Sequence, residues 1–181
     1  MAHLKKTRKE IIKKAEELAV KYEKEYMGCC QCTFMAVVDA LRWGGVEVVS
    51  EDIEDRLFPG LCLLTGGVGV TTDGTCGAII GSVMAIGMSL GVSRGIQGKD
   101  MSIVGDGYDI VWRAILDRYD EKYRSQLCKD VQRKHYGKSW DFRIPEMTDE
   151  YLEVSDGCTI KETAVWTAGC ILDEFEQRNF K

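Results

Sequence analysis

Apolar residues recur at intervals of three and four along most of the chain, the spacing of one face of an α-helix. Ile11, Ala15, Leu18, Tyr22 and Tyr26 form a first stripe, and Gly28 is placed to end it. Phe34, Val37, Val38 and Leu41 form a second, closed by Gly44 and Gly45. A short helix is expected over 50–57, with Ser50 as N-cap and the acids of "EDIED" complementing the positive end of its dipole. A further helix is expected to start at Cys76, with Thr75 as its cap, and to run to about Val92. Gly77, Gly81, Gly87 and Gly91 lie along it, each costing about 1 kcal/mol relative to alanine. That cost implies close approach by a neighbouring helix or a cofactor. The longest pattern, over 107–136, aligns Trp112, Leu116, Tyr119, Tyr123, Leu127 and Val131. A last helix over 160–177 turns Ile160, Ala164, Ala168, Ile171 and Phe175 inward, with Thr159 and Glu162 as its capping box.

Strand signals are weak, confined to "VEVV" at 46–49 and "LCLL" at 61–64. The expected fold is therefore all-α. Residues 1–181 form a single-domain bundle of about five helices, with a glycine-rich loop, "GGVGVTTDGTC", ahead of the central one. A chain of 181 residues is long enough to bury a sizeable core.

Charge narrows the partners. A net charge of -5 argues against nucleic acid and against an anionic membrane surface, both of which call for a basic face. The basic run "HLKKTRKEIIKK" is followed by interleaved acids and reads as a solvated helix face. The stretch from Cys76 to Val92 is rich in Gly, Ala and Ser and falls short of the roughly 20 apolar residues of a membrane span. It reads as a core helix. The N-terminus lacks the apolar region of a secretory signal, so a cytoplasmic protein is expected.

Eight cysteines against two histidines then shift attention to sulfur. In a cytoplasmic chain such cysteines point to metal binding or redox work rather than to a disulfide framework. Cys29, Cys30 and Cys32 open the second helix, Cys76 lies in a first turn, and Cys158 directly precedes the last helix. Helix starts offer unpaired N–H groups and a partial positive charge, which favour thiolate over thiol. Cys128 is expected mid-helix, with Lys129, Arg133 or Lys134 acting in the same direction. Gly66 and Gly67 of the loop, with Gly77, leave room for backbone amides to reach sulfur or a bound cluster. Cys62 and Cys170 sit within apolar stretches and read as small hydrophobes. His135 beside Tyr136 reads as structural, and Trp43, Trp112, Trp140 and Trp166 as core or interface residues. Phosphate-binding glycine motifs are absent, and so is the CxxCH of c-type haem attachment.

"GCCQC", "GTCGAIIG", "LCKD" and "DGCTIKETAVWTAGCILDE" together resemble the redox-active proteins defined by four spaced cysteines and a CGAxxG motif. Cys76-Gly77-Ala78-Ile79-Ile80-Gly81 matches that motif in full. The resemblance extends over about 26–176 and implies Cys29, Cys76, Cys128 and Cys158 as the four positions. Cys30 and Cys32 are alternatives to Cys29, because the first motif here is richer in cysteine than the family's Cys-Ala-Gln. The family is also similar to the split-Soret cytochromes, helical dimers with haem and an iron–sulfur centre. Only their non-haem part is compatible with this chain.

Three functions follow. The first is an iron–sulfur electron-transfer protein, with a [2Fe–2S] or [4Fe–4S] cluster on the four cysteines. The second is a metal-free thiol–disulfide oxidoreductase, with Cys30 and Cys32 as a resolving pair. The third is a structural zinc module with four cysteine ligands, disfavoured by the scarcity of closely paired cysteines. The resemblance, with the glycine-rich helix face, further implies a homodimer, and the chemistry implies a redox protein partner and an anaerobic setting.

Overall fold

The computed structural model describes residues 4–155 and 159–179, excepting the side chains of Ile103, Arg178 and Asn179. Helix α1, Arg8–Tyr26, is opened by a capping box in which Thr7 accepts from the Glu10 amide and Glu10 from the Thr7 amide. Its buried face is Ile11, Ala15, Leu18, Ala19 and Glu23. The expected stripe is thus rotated: Tyr26 is exposed, and an acid takes an inward position. Helix α2, Cys29–Trp43, is the middle of the molecule and buries almost every residue from Cys30 to Leu41. A helix apolar on all sides must be packed on all sides, and α2 lies against α1, the central glycine-rich helix and the last helix.

Helix α3, Glu51–Leu63, begins after Ser50 as expected but continues through Pro59, absorbing the "LCLL" segment in its last turn. The "VEVV" segment is irregular chain with a bend at 48–49, and its Val46 amide returns to the Leu41 carbonyl. Among the described residues there is no strand, only a single antiparallel bridge between Thr75 and Leu127.

Helix α4, Gly77–Leu90, is capped by Cys76 itself, one residue later than Thr75. Its first two glycines are used inside the chain. A Cβ on Gly77 would lie 2.3 Å from the Cys29 sulfur, and one on Gly81 only 2.2 Å from the Cys30 carbonyl oxygen. The CGAxxG motif is therefore the contact surface on which the start of α2 lies. Gly87 and Gly91 meet nothing within 4 Å.

The long helix expected over 107–136 is broken. A short α5, Arg94–Gln97, leads to α6, Ser102–Val111, then a π-helical turn at Trp112–Leu116 and α7, Asp117–Tyr123. Arg124 takes a left-handed conformation at φ 57°, the chain extends to Leu127, and α8, Cys128–Tyr136, starts afresh. Tyr123 and Val131 are both buried, so the apolar spacing continues across a break it does not reveal. Helix α9, Pro145–Val154, has no buried residue and lies on the outside. Helix α10, Ile160–Asn179, returns to the core with Ile160, Ala164, Ala168 and Ile171 inward, as expected. Glu162 meets Lys122 and Tyr123 of α7. Helices α1, α2, α4 and α10 form the core, and the remaining, shorter helices make the protein more finely divided than the five expected. Of the tryptophans, Trp140 is buried, whereas Trp112 is largely exposed.

Candidate redox site

Three helix starts and one loop build the site. Cys29 is the first residue of α2, Cys76 the N-cap of α4, and Cys128 the first residue of α8. The loop over 64–75 holds them together. Gly66, Gly67 and Gly69 have positive φ, and so do Val68, Val70 and Thr72, a strained arrangement for β-branched residues. Cross-links hold it: the Thr72 amide donates to the Gly66 carbonyl at 2.8 Å, and the Thr71 hydroxyl to the Gly67 carbonyl at 2.6 Å. The extended segment before α8 closes the ring. The Cys76 amide donates to the Gln126 carbonyl at 2.7 Å, and the Cys128 amide to the Gly74 carbonyl at 2.9 Å.

These bonds correct one expectation: Cys128 is not mid-helix but begins α8, and its amide, like that of Cys76, is engaged by a backbone carbonyl. The cations expected beside Cys128 are also engaged, Lys129 with Asp73 and Arg133 with Asp130. The sulfurs instead have their own partners. The Gly66 amide donates to Cys29 Sγ, whose sulfur also lies 3.4 Å from the Thr65 hydroxyl. Cys76 Sγ lies 3.8 Å from the Tyr119 hydroxyl and 3.7 Å from that of Thr159. Cys128 Sγ accepts from the Gln132 side-chain amide at 3.2 Å. Gly67 packs against Cys128, where a Cβ would approach the cysteine Cβ to 3.0 Å.

All three cysteines line one cavity of about 320 Å³. Met27, Val70, Val131, Phe142 and Leu152 supply its apolar walls, and Glu23, Thr65 and Thr159 its polar points. Thr148, Tyr151 and Leu152 bring α9 over it, and α9 is held by edge-to-face contacts of Tyr151 with Phe142, Trp140 and Tyr136. Cys158 lies outside the described residues, while its neighbour Thr159 lines the cavity. Cys30 and Cys32 do not line it. Both are fully buried, and Cys32 donates to the Tyr22 carbonyl at 3.2 Å. Two residues apart on one helix they point to opposite sides, so they do not form the resolving pair. Cys170 lines a separate cleft of about 450 Å³ beside Trp166 and Arg113.

Electrostatics also departs from expectation. Burial, with the neighbouring Cys76 thiol, pushes the Cys29 thiol up to about 12. Cys30 is likewise pushed up to about 12 and Cys170 to about 11, both chiefly by burial, and Cys32 and Cys62 move the same way. Loss of water outweighs the field of a helix start here. Glu23, missed by sequence reasoning, is pushed up to about 7 by burial, opposed by a hydrogen bond from the Gly28 amide. Its signal was its place four residues after Ala19 on the inward face. Tyr119 is fully buried, and its hydroxyl also meets Thr163 at 2.8 Å. Among the described residues no three His, Cys, Asp or Glu side chains are arranged to hold a metal ion as they stand.

The model of the family described as "Putative redox-active protein (C_GCAxxG_C_C)" matches residues 27–168. The chain belongs to this family. The matched span runs from the residue before the Gly28 cap of α2 into α10, and so includes the three helix starts and all of the cavity lining except Glu23. No curated protein and no solved structure matches the chain. No helix among the described residues is long and apolar enough to cross a membrane.

Proposed function

We propose that this redox protein transfers electrons through an iron–sulfur cluster held by Cys29, Cys76 and Cys128, with Cys158 as the fourth ligand. The observation that carries the reading is the convergence of three thiols, from separate helix starts, on one cavity. The donor set fits the group. Thiolates are the ligands such clusters take, and the Gly66 amide already bonds one of the sulfurs. Burial that disfavours a free Cys29 thiolate is offset when a cation binds it. When bound, the cluster would supply one-electron redox chemistry. The protein residues would fix its ligands, exclude water with the apolar walls, and place hydroxyls of Thr65, Tyr119 and Thr159 near sulfur.

Anaerobic purification followed by an ultraviolet–visible spectrum, with iron, zinc and sulfide assays on the same sample, tests this. Broad absorption bleached by dithionite, with matching iron and sulfide, is expected. A colourless protein that stays metal-free after anaerobic reconstitution would overturn it.

Packing of the Cys29 sulfur on Gly77, the residue next to Cys76, supports a second reading, a metal-free dithiol. It forms a Cys29–Cys76 disulfide by passing two electrons and two protons to a disulfide of a redox partner protein, which leaves as a dithiol. Mass spectrometry of the oxidised protein would then show an intramolecular bond between those two. The homodimer is proposed on the same terms. Helix α4 carries no charged residue, yet Val83 is exposed and Gly87 open on its outer side. Light scattering on the purified protein reads the outcome.

A further inference from the structure

Glu23 is anomalous among the buried acids. It is 8 % exposed, lines the cysteine cavity, and has a carboxyl oxygen, Oε2, that is buried without a hydrogen-bond partner. The Gly28 amide is the group that bonds its carboxyl, and no cation among the described residues acts on it. The other buried acid among them, Glu54, is met by Arg42 at 2.6 Å. An unpaired buried oxygen is costly, and a glutamine or leucine would fill the same place on α1 more cheaply. An unpartnered oxygen at a cavity wall is matched by a hydrogen-bonding group that enters the cavity.

We propose that this cavity binds a small, uncharged, largely apolar molecule bearing one hydroxyl or carbonyl group, and that this group hydrogen-bonds Oε2 of Glu23. The walls match such a molecule: Met27, Val70, Val131, Phe142 and Leu152 are apolar, and the polar groups are few. The volume of about 320 Å³ lies at the small end of ligand sites, which begin near 300 Å³. The cavity selects against charge, because its lining among the described residues holds no cation for an anionic ligand and its apolar walls leave any charged group without water. Bound there, the molecule abuts Cys29, Cys76 and Cys128, which share the cavity lining with Glu23. The inference shares a cavity with the proposed cluster but rests on Glu23 and the apolar walls, not on the cysteine ligands.

Two fluorinated probes test it by ¹⁹F NMR on the full chain as purified. 4-Fluorophenol carries the hydroxyl, and fluorobenzene lacks it. The phenol is expected to bind about tenfold more tightly, the effect of one hydrogen bond to a buried group. Glu23→Leu is expected to bring the two probes within about twofold of each other. This variant removes a buried unpaired group, so it should fold at least as well as the parent, which a thermal melt verifies. Leu152→Trp, which enlarges a wall residue on α9, is expected to weaken both probes together. Failure of 4-fluorophenol to bind at millimolar concentration would overturn the proposal. So would a preference for the phenol that survives in Glu23→Leu. Iron is assayed on the same samples, so an iron-free protein would defeat the cluster reading while the probe ratio still decides this one.

Discussion

Gly77 leaves a space that the Cys29 sulfur occupies: a Cβ there would lie 2.3 Å from Sγ. A residue of the glycine motif on α4 and a cysteine on α2, 48 positions apart, thus share one point in the fold. Any side chain at 77 displaces a proposed ligand.

Gly77→Ala and Gly81→Ala are accordingly expected to destabilise the protein by about 1–3 kcal/mol each, through overpacking against α2. Gly87→Ala is expected to stabilise it by about 0.5–1 kcal/mol, since its Cβ would meet nothing within 4 Å and alanine is the better helix former. Thermal or urea unfolding of the three variants measures both signs.

Cysteine substitutions separate the site from the rest. Cys76→Ser and Cys29→Ser are expected to remove most of the bound iron. Cys30→Ser, Cys32→Ser and Cys170→Ser should leave it largely in place, because none of these sulfurs lines the cysteine cavity. Iron retained in Cys76→Ser but lost from Cys170→Ser would reverse the assignment.

Arg42 ties α2 to α3, meeting Asp39 and Glu54 and donating to the Val49 carbonyl at 3.0 Å. Glu54 is 7 % exposed, so Arg42→Ala leaves a buried carboxylate without its cation. A loss of about 2–4 kcal/mol is expected, reduced from the fully buried case because Arg42 keeps some exposure. Denaturant titration reads it, and Arg42→Ala/Glu54→Leu should recover part of the loss.

Glu23 makes stability fall as pH rises. Its folded pKa, about 7, lies above the ordinary value of 4.5, so the folded state holds a proton that the unfolded state has released. Its contribution is complete below pH 4.5 and is lost as pH rises toward 7, by roughly 3 kcal/mol in all. Glu23→Gln should flatten that window in unfolding experiments run from about pH 4.5 to 7.5. An unchanged slope would show that Glu23 does not titrate there.

Helical periodicity carried the all-α class, the end of α1, the starts of α2 and α3, and nearly the whole of α10. Those features depend on side-chain spacing and capping residues, which are local. The CGAxxG motif and the position of Cys29 at a helix start were equally legible, because glycine cost and N-terminal fields act within a turn. The break at Arg124 was not. Tyr123 and Val131 are buried on both sides of it, and a regular apolar spacing does not tell a continuous helix from two helices facing one core. With that break unseen, Cys128 was placed mid-helix and its helix start was lost.

The thiol energetics lay further out of reach. A helix start alone predicts a depressed pKa for Cys29, but the loop over 64–75, Cys76 and α9 remove water from it, and desolvation wins. Glu23 shows the same division: its inward register is written in α1, while its unpaired oxygen exists only because α2, α8 and α9 close a cavity around it. Sequence by itself determined the helical character of the chain and that Cys29 and Cys76 lie at helix starts, since both depend on neighbours a few positions away. Only the tertiary structure decided which sulfurs share a cavity and what charge that cavity tolerates, since both depend on which distant segments exclude the water.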